Sequence, residues 1–121
     1  MLNNLLAVAC GGAIGATLRY WISITVHDKL GAALPYGTLL VNASGCFLLG
    51  VTVAFCLKHP EMPLPLKLFI ITGFLGGLTT FSTFTLESFE LLTHNPVLGL
   101  CNVAVSIIGG LILIALGLRV I

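Results

Sequence analysis

A polar segment lies in the middle of a hydrophobic stretch that is long enough to cross a membrane. It contains two glycines, then five hydroxyl side chains and two phenylalanines, and reads Gly76-Gly77-Leu78-Thr79-Thr80-Phe81-Ser82-Thr83-Phe84-Thr85. Burying a backbone or hydroxyl group in hydrocarbon without a hydrogen-bond partner costs on the order of several kcal/mol. We therefore expect this segment to face other protein, an ion or a water-filled path.

The composition is that of a membrane protein. The chain has 121 residues, of which 58% are hydrophobic and only 7% charged, and its mean hydropathy is +1.15. Soluble domains carry roughly 25% charged residues, so this chain cannot cover a surface that faces water. Its net charge of +1 provides no basic face for nucleic acid. We expect a multi-pass protein of the cell (inner) membrane in contact with the lipid bilayer.

Residues 1–121 are predicted to form a single all-α transmembrane domain with four spans, at about 2–26, 36–57, 66–92 and 97–120. The third helix is predicted to be broken at mid-membrane, because Gly76-Gly77 weakens it there. Spans two and four each carry a small or polar stripe at helical spacing. The stripes are Thr38, Asn42, Gly45 and Thr52 in span two, and Gly99, Asn102, Ser106, Gly109 and Gly110 in span four. Helix packing explains single stripes, but packing alone does not require Asn42 or the hydroxyl cluster.

The basic residues define no clear orientation in the membrane. Lys58, Lys67 and Arg119 fall on the side of the termini, whereas Lys29 and Arg19 fall towards the other side. Such an even balance predicts insertion in both orientations. A four-span monomer is also too thin to shield a polar path from lipid. We therefore expect an antiparallel, dual-topology homodimer.

The polar side chains suit an anion better than catalysis or cation export. No group of nucleophile, base and orienting residue is visible, so an intramembrane enzyme is disfavoured. Spans one, two and four contain no carboxylate of the kind that a proton-coupled exporter needs, and Glu87 is expected near the interface. Neutral donors remain, and the ring edges of Phe81 and Phe84 are electropositive. Carbonyls freed at the break of two paired chains could together hold Na⁺.

Three motifs in this order resemble the Fluc (CrcB) family of fluoride channels, and the resemblance covers the whole chain. The motifs are Gly11-Gly12-x-x-Gly15-Ala16-x-x-Arg19-Tyr20, Gly37-Thr38-Leu39-x-Val41-Asn42-x-x-Gly45 and Gly73-Phe74-x-Gly76-Gly77-x-Thr79-Thr80-Phe81-Ser82-Thr83-Phe84. The resemblance implies passive export of fluoride through two pores of an antiparallel dimer. It leaves two alternatives to be tested, a non-conducting helix-bundle scaffold and a small-cation or multidrug exporter of similar size.

The resemblance also assigns roles to individual residues. It implies that the ring edges of Phe81 and Phe84 contact fluoride and that Arg19 lies near the aqueous vestibule. It implies polar positions in the fluoride pathway at Asn42, Thr38 and Ser82, and more loosely at Ser106. It implies that the backbone carbonyls of Gly76 and Thr79 hold a structural Na⁺ at the dimer interface.

Overall fold

The computed structural model describes residues 1–121 and contains helices and no strands. Four segments are long and apolar enough to cross a membrane, namely Leu2–Leu30, Tyr36–Lys58, Leu64–His94 and Pro96–Gly117. The predicted all-α architecture with four spanning segments is therefore confirmed. The elements are α1 (Leu2–Leu30), α2 (Tyr36–Lys58), α3 (Leu64–Lys67), a π-helix (Leu68–Leu75), α4 (Gly76–Leu78), α5 (Phe81–His94) and α6 (Pro96–Gly117).

Local sequence signals explain where the spans begin and end. Helix α1 stops at Gly31, whose positive φ of 77° is a conformation that favours glycine. Helix α6 starts after Asn95, whose side chain accepts a hydrogen bond from the backbone N–H of Leu98 at 3.2 Å. Pro96 occupies the first turn of α6, where its missing N–H costs little.

Glycines bring α1 very close to the third span. A Cβ atom placed on Gly77 would lie 2.7 Å from the carbonyl oxygen of Gly12, and one placed on Gly73 would lie 2.8 Å from that of Val8. Helix α1 accordingly packs along the π-helix and α4, while α2 packs along α6. Small residues at helix contacts are the usual route to tight packing in lipid.

The chain buries little of its apolar surface. Its buried apolar cluster consists of Val41, Leu75 and Leu78, with other aliphatic and aromatic groups packed around it. Large apolar side chains point outwards, including Trp21, which is 61% exposed, and Phe81, which is 75% exposed. Such a surface suits lipid or another protein chain rather than water.

The expectation that the paired glycines interrupt the third helix is wrong in its position. Gly76 is helical, with φ −63° and ψ −35°, and Gly77 belongs to α4. The extended residues are Thr79 (φ −83°, ψ 158°) and Thr80 (φ −149°, ψ 123°). Gly77 serves the close approach of α1, and the backbone leaves the helix only where α2 offers Thr80 a hydrogen-bonding partner. We call Thr79–Thr80 the extended pair.

Candidate functional site

Asn42 on α2 binds both backbone polar groups of Thr80. Its Oδ1 accepts a hydrogen bond from the Thr80 N–H at 2.8 Å, and its Nδ2 donates to the Thr80 carbonyl at 3.0 Å. The side-chain amide thus pairs with a peptide group much as a neighbouring strand would. In a continuous helix the same Thr80 N–H would donate to the carbonyl of Gly76.

Thr80 also begins helix α5. Its Oγ1 accepts a hydrogen bond from the backbone N–H of Thr83 at 3.3 Å and donates one to the Thr83 hydroxyl at 3.1 Å. In a continuous helix the Thr83 N–H would donate to the carbonyl of Thr79. The N–H groups that would serve the Gly76 and Thr79 carbonyls in a continuous helix therefore donate to side chains instead.

The hydroxyl of Thr79 is already used within its own span. Both its Oγ1, at 3.0 Å, and its backbone N–H, at 3.1 Å, donate to the carbonyl of Leu75. The methyl group of Thr79 lies directly against Gly45, where a Cβ atom would collide with it. The hydroxyl proton of Thr79 is therefore not available to a ligand at this site.

Arg19 on α1 contacts the third span just before the extended pair. Its Nε donates a hydrogen bond to the carbonyl of Gly77 at 3.0 Å, and the side chain is half-buried. Gly77 lies in the last turn before the chain becomes extended, and a positive charge is favourable at such a C-terminal end. Arg19 thus contacts the backbone of the third span two residues before the extended pair begins.

A cavity of about 330 Å³ opens beside the extended pair. It brings together six of the residues that the sequence singled out: Asn42, Gly76, Thr79, Phe81, Phe84 and Ser106. The rest of its lining is Gly45, Cys46, Leu49, Ile71, Leu75, Thr80 and Ile107. No carboxylate, lysine, arginine or histidine lines this cavity, so its polar groups are an amide, hydroxyls, the Cys46 thiol and backbone groups.

The two phenylalanines line the same cavity but differ in exposure. Their ring centroids are 5.9 Å apart and the ring planes are inclined by 51°. Phe84 is only 8% exposed, whereas Phe81 is 75% exposed. Phe84 is therefore fixed by its own chain, and Phe81 has a free face.

The remaining predicted residues lie elsewhere. Thr38 is buried on α2, and its hydroxyl donates a hydrogen bond to Oε1 of Glu87 at 2.9 Å. The other carboxylate oxygen of Glu87 is buried without a hydrogen-bond partner. Ser82 is exposed and does not line the cavity. Glu87 was expected near the interface and left out of the site, although its spacing of three from Phe84 would have placed both on one helix face.

A second polar contact joins α5 to α6. Nδ2 of Asn102 donates a hydrogen bond to Oγ of Ser88 at 2.9 Å, and both residues are buried. Sequence reasoning noted Asn102 in the polar stripe of span four but missed Ser88. The signal was present, since Ser88 follows Phe84 by four positions and shares its helix face.

The family described as "CrcB-like protein, Camphor Resistance (CrcB)" matches residues 6–118. The chain belongs to the CrcB family. Similar proteins include one from Chloroflexus aurantiacus (strain J-10-fl), named "Fluoride-specific ion channel FluC", which is 43% identical over 117 residues, 96% of this chain and 93% of the relative. A protein of the same name from Bordetella petrii is 46% identical over 95% of this chain and 88% of its own length. Another, from Escherichia coli O1:K1 / APEC, is 43% identical over 100% of this chain and 96% of its own length.

CrcB membership confirms the resemblance that the three motifs indicated. The shared identity runs through almost the whole chain in each case. The cavity, the extended pair and the residues around them therefore belong to a multi-pass membrane protein of this family.

Proposed function

We propose that this protein is a fluoride-specific channel that lowers cytoplasmic fluoride by passive export across the membrane. The relatives described above are named fluoride-specific ion channels, and they match nearly the full length of this chain. A channel of this kind is a transport protein and not an enzyme.

The observation that carries the proposal is the lining of the 330 Å³ cavity. It combines an amide, hydroxyls and two phenylalanine rings and contains no carboxylate. A cation exporter would need a carboxylate in its binding cavity. An anion is instead attracted by N–H and O–H donors and by the electropositive edge of an aromatic ring.

The proposed fluoride pathway uses the residues that the resemblance implied. Asn42 and Ser106 supply donors in the cavity, and Phe81 and Phe84 supply ring edges. Thr38 and Ser82 would extend the polar path beyond the cavity, and Arg19 would supply positive charge. The clustering around the cavity supports the roles of Asn42, Ser106 and the two phenylalanines. Thr38, Ser82 and Arg19 do not line the cavity, so the motifs alone support their roles.

The carbonyls of Gly76 and Thr79 fit a structural Na⁺. Their usual helical donors, the N–H groups of Thr80 and Thr83, are engaged by side chains instead. Neutral carbonyl oxygens of an unwound membrane helix are a recurrent type of ligand for Na⁺. Two carbonyls from each of two chains would provide four oxygens, and the bound ion would compensate their partial negative charge.

A second copy in antiparallel orientation would complete this site, and the extended pair would lie at mid-membrane on the dimer axis. The free face of Phe81 and the exposure of Gly76 support a partner chain on this side of the protomer. The even balance of basic residues supports insertion in both orientations. Such a dimer would contain two pores.

Efflux from proteoliposomes tests the proposed activity. Purified protein should release fluoride from loaded vesicles, while chloride remains inside in a parallel assay with the same protein. Release of neither anion would leave a non-conducting helix bundle. Movement of protons or organic cations without fluoride would indicate an exporter.

A further inference from the structure

Two side chains from different helices hold the interruption of the third span. Asn42 on α2 binds the N–H and the carbonyl of Thr80, and Arg19 on α1 binds the carbonyl of Gly77. The two contacts lie on either side of Thr79 in the sequence. They are long-range in the chain, since Asn42 is 38 residues from Thr80 and Arg19 is 58 residues from Gly77.

We propose that Asn42 and Arg19 are positioning residues, which hold the extended pair in the shape that keeps the Gly76 and Thr79 carbonyls free for a cation. This inference rests on the Na⁺ site of the proposed function. In this role both residues act through the backbone of the third span, in addition to any contact with fluoride.

The physical reason is a competition for hydrogen-bond partners. If Asn42 did not accept from the Thr80 N–H, that N–H would regain the Gly76 carbonyl by closing the helix across the interruption. Hydrocarbon offers no water to satisfy it otherwise, so closure is the favourable alternative. The same closure would consume a carbonyl that Na⁺ needs. The amide of Asn42 therefore decides whether the helix or the cation receives this oxygen.

Arg19 acts on the neighbouring carbonyl. The Gly77 oxygen cannot be served by a regular helical donor once the chain becomes extended at Thr79. Its hydrogen bond from Nε satisfies it, whereas the Gly76 oxygen receives no donor from these contacts. The guanidinium has further N–H groups, and the Asn42 amide has a second one. Both side chains can therefore position the backbone and still face an anion.

The test measures the Na⁺ response separately from fluoride flux. The melting temperature of the purified dimer is recorded against Na⁺ concentration, with N-methylglucamine replacing Na⁺ to hold ionic strength constant. Asn42→Leu keeps the branching of the side chain and removes its polar atoms. It should weaken the apparent Na⁺ affinity by about tenfold, which corresponds to about 1.4 kcal/mol. Phe84→Ile is the matched control, since it alters the same cavity and should lose flux while keeping the wild-type Na⁺ response.

Three variants of Arg19 separate the hydrogen bond from the charge. In Arg19→Gln the amide nitrogen is the same number of bonds from Cα as Nε of arginine, so a donor to Gly77 remains without the charge. Arg19→Met has a side chain as long as that of glutamine but no donor. Arg19→Lys keeps the charge but has a carbon atom, Cε, at the position of the arginine Nε. The Na⁺ response should survive in Arg19→Gln and fall about tenfold in Arg19→Met and Arg19→Lys.

Each outcome decides between the alternatives. A wild-type Na⁺ response in both Asn42→Leu and Arg19→Met would overturn the positioning role. It would not contradict the proposed channel function. Loss in Arg19→Gln and survival in Arg19→Lys would show that charge matters and the hydrogen bond does not, which also overturns it. If Asn42→Leu fails to form a dimer, the comparison of Arg19→Gln with Arg19→Met decides alone. Wild-type protein that conducts fluoride without any Na⁺ response would remove the cation site and this inference with it, but not the channel.

Discussion

Two adjacent glycines of the third span are expected to respond in opposite ways to the same substitution. A Cβ atom on Gly77 would lie 2.7 Å from the carbonyl oxygen of Gly12 and 3.1 Å from the backbone nitrogen of Ala16. A Cβ atom on Gly76 would meet only the carbonyl oxygen of Ile71, at an ordinary 3.7 Å. Gly77→Ala therefore disturbs the packing of α1, whereas Gly76→Ala has space within the protomer.

The expected difference in protomer stability is substantial. Both substitutions gain about the same helix propensity, roughly 1 kcal/mol for alanine over glycine, so this contribution cancels in the comparison. The remaining cost of Gly77→Ala is that of overpacking against backbone atoms that cannot rotate away, about 1–3 kcal/mol. Gly77→Ala should therefore be less stable than Gly76→Ala by about 1–3 kcal/mol.

The effect on assembly should be reversed. If Gly76 lies where two chains meet, its added methyl group forces the extended pairs of the two protomers apart. Gly76→Ala should then fold but dimerise poorly and lose fluoride flux. Reversible denaturation in mixed micelles at high dilution measures protomer stability. Single-molecule photobleaching in liposomes over a dilution series measures the fraction of dimer.

Two results would refute this reasoning. Equal protomer stability of the two variants, within about 0.5 kcal/mol, would mean that α1 does not approach Gly77 as closely as the structure shows. A Gly76→Ala protein with wild-type dimer fraction and flux would remove Gly76 from the interface.

Four further outcomes are expected. Phe81→Ile and Phe84→Ile should each keep the dimer and slow fluoride efflux strongly, because an aliphatic side chain has no electropositive edge; wild-type efflux in both would exclude the rings from the path. Asn42→Asp should abolish efflux, because a carboxylate replaces an amide donor, and equal efflux would contradict its role. Ser88→Ala should destabilise the protein by about 1–3 kcal/mol in a denaturation assay, because the buried amide of Asn102 loses its acceptor; unchanged stability would argue against that contact. Reporters fused to the C-terminus should reveal both orientations, and added lysines in one loop should bias insertion; a single orientation in the unmodified protein would refute dual topology.

The sequence predicted the features of this protein that depend on properties summed over neighbouring residues, such as hydropathy. Span number follows from hydropathy and length, and the four spanning segments lie where apolar runs of sufficient length occur. The CrcB family followed from three short motifs, and the family match confirms it. The cavity also collects Asn42, Phe81 and Phe84, which were chosen by residue type and helical spacing, and Ser106, which the family resemblance implied.

Hydrogen bonds between spans could not be predicted in this way. Thr38 with Glu87 and Asn102 with Ser88 join different spans, and neither Glu87 nor Ser88 had been assigned to the site. A helical stripe shows which residues share a face, but it does not show which face of another helix lies opposite. That pairing depends on the rotation and depth of each helix, which result from packing of the whole bundle.

The position of the extended pair shows most clearly the difference between what the sequence predicts and what tertiary packing decides. The sequence by itself determined that the third span carries a polar and glycine-rich segment that lipid cannot accept, because hydrophobicity and helix propensity are properties of neighbouring residues. Only the tertiary structure decided that the helix continues through Gly76 and Gly77 and becomes extended at Thr79 and Thr80. The physical reason is that α1 needs Gly77 for close approach, while Asn42 on α2 is placed to replace the helical partner of the Thr80 N–H.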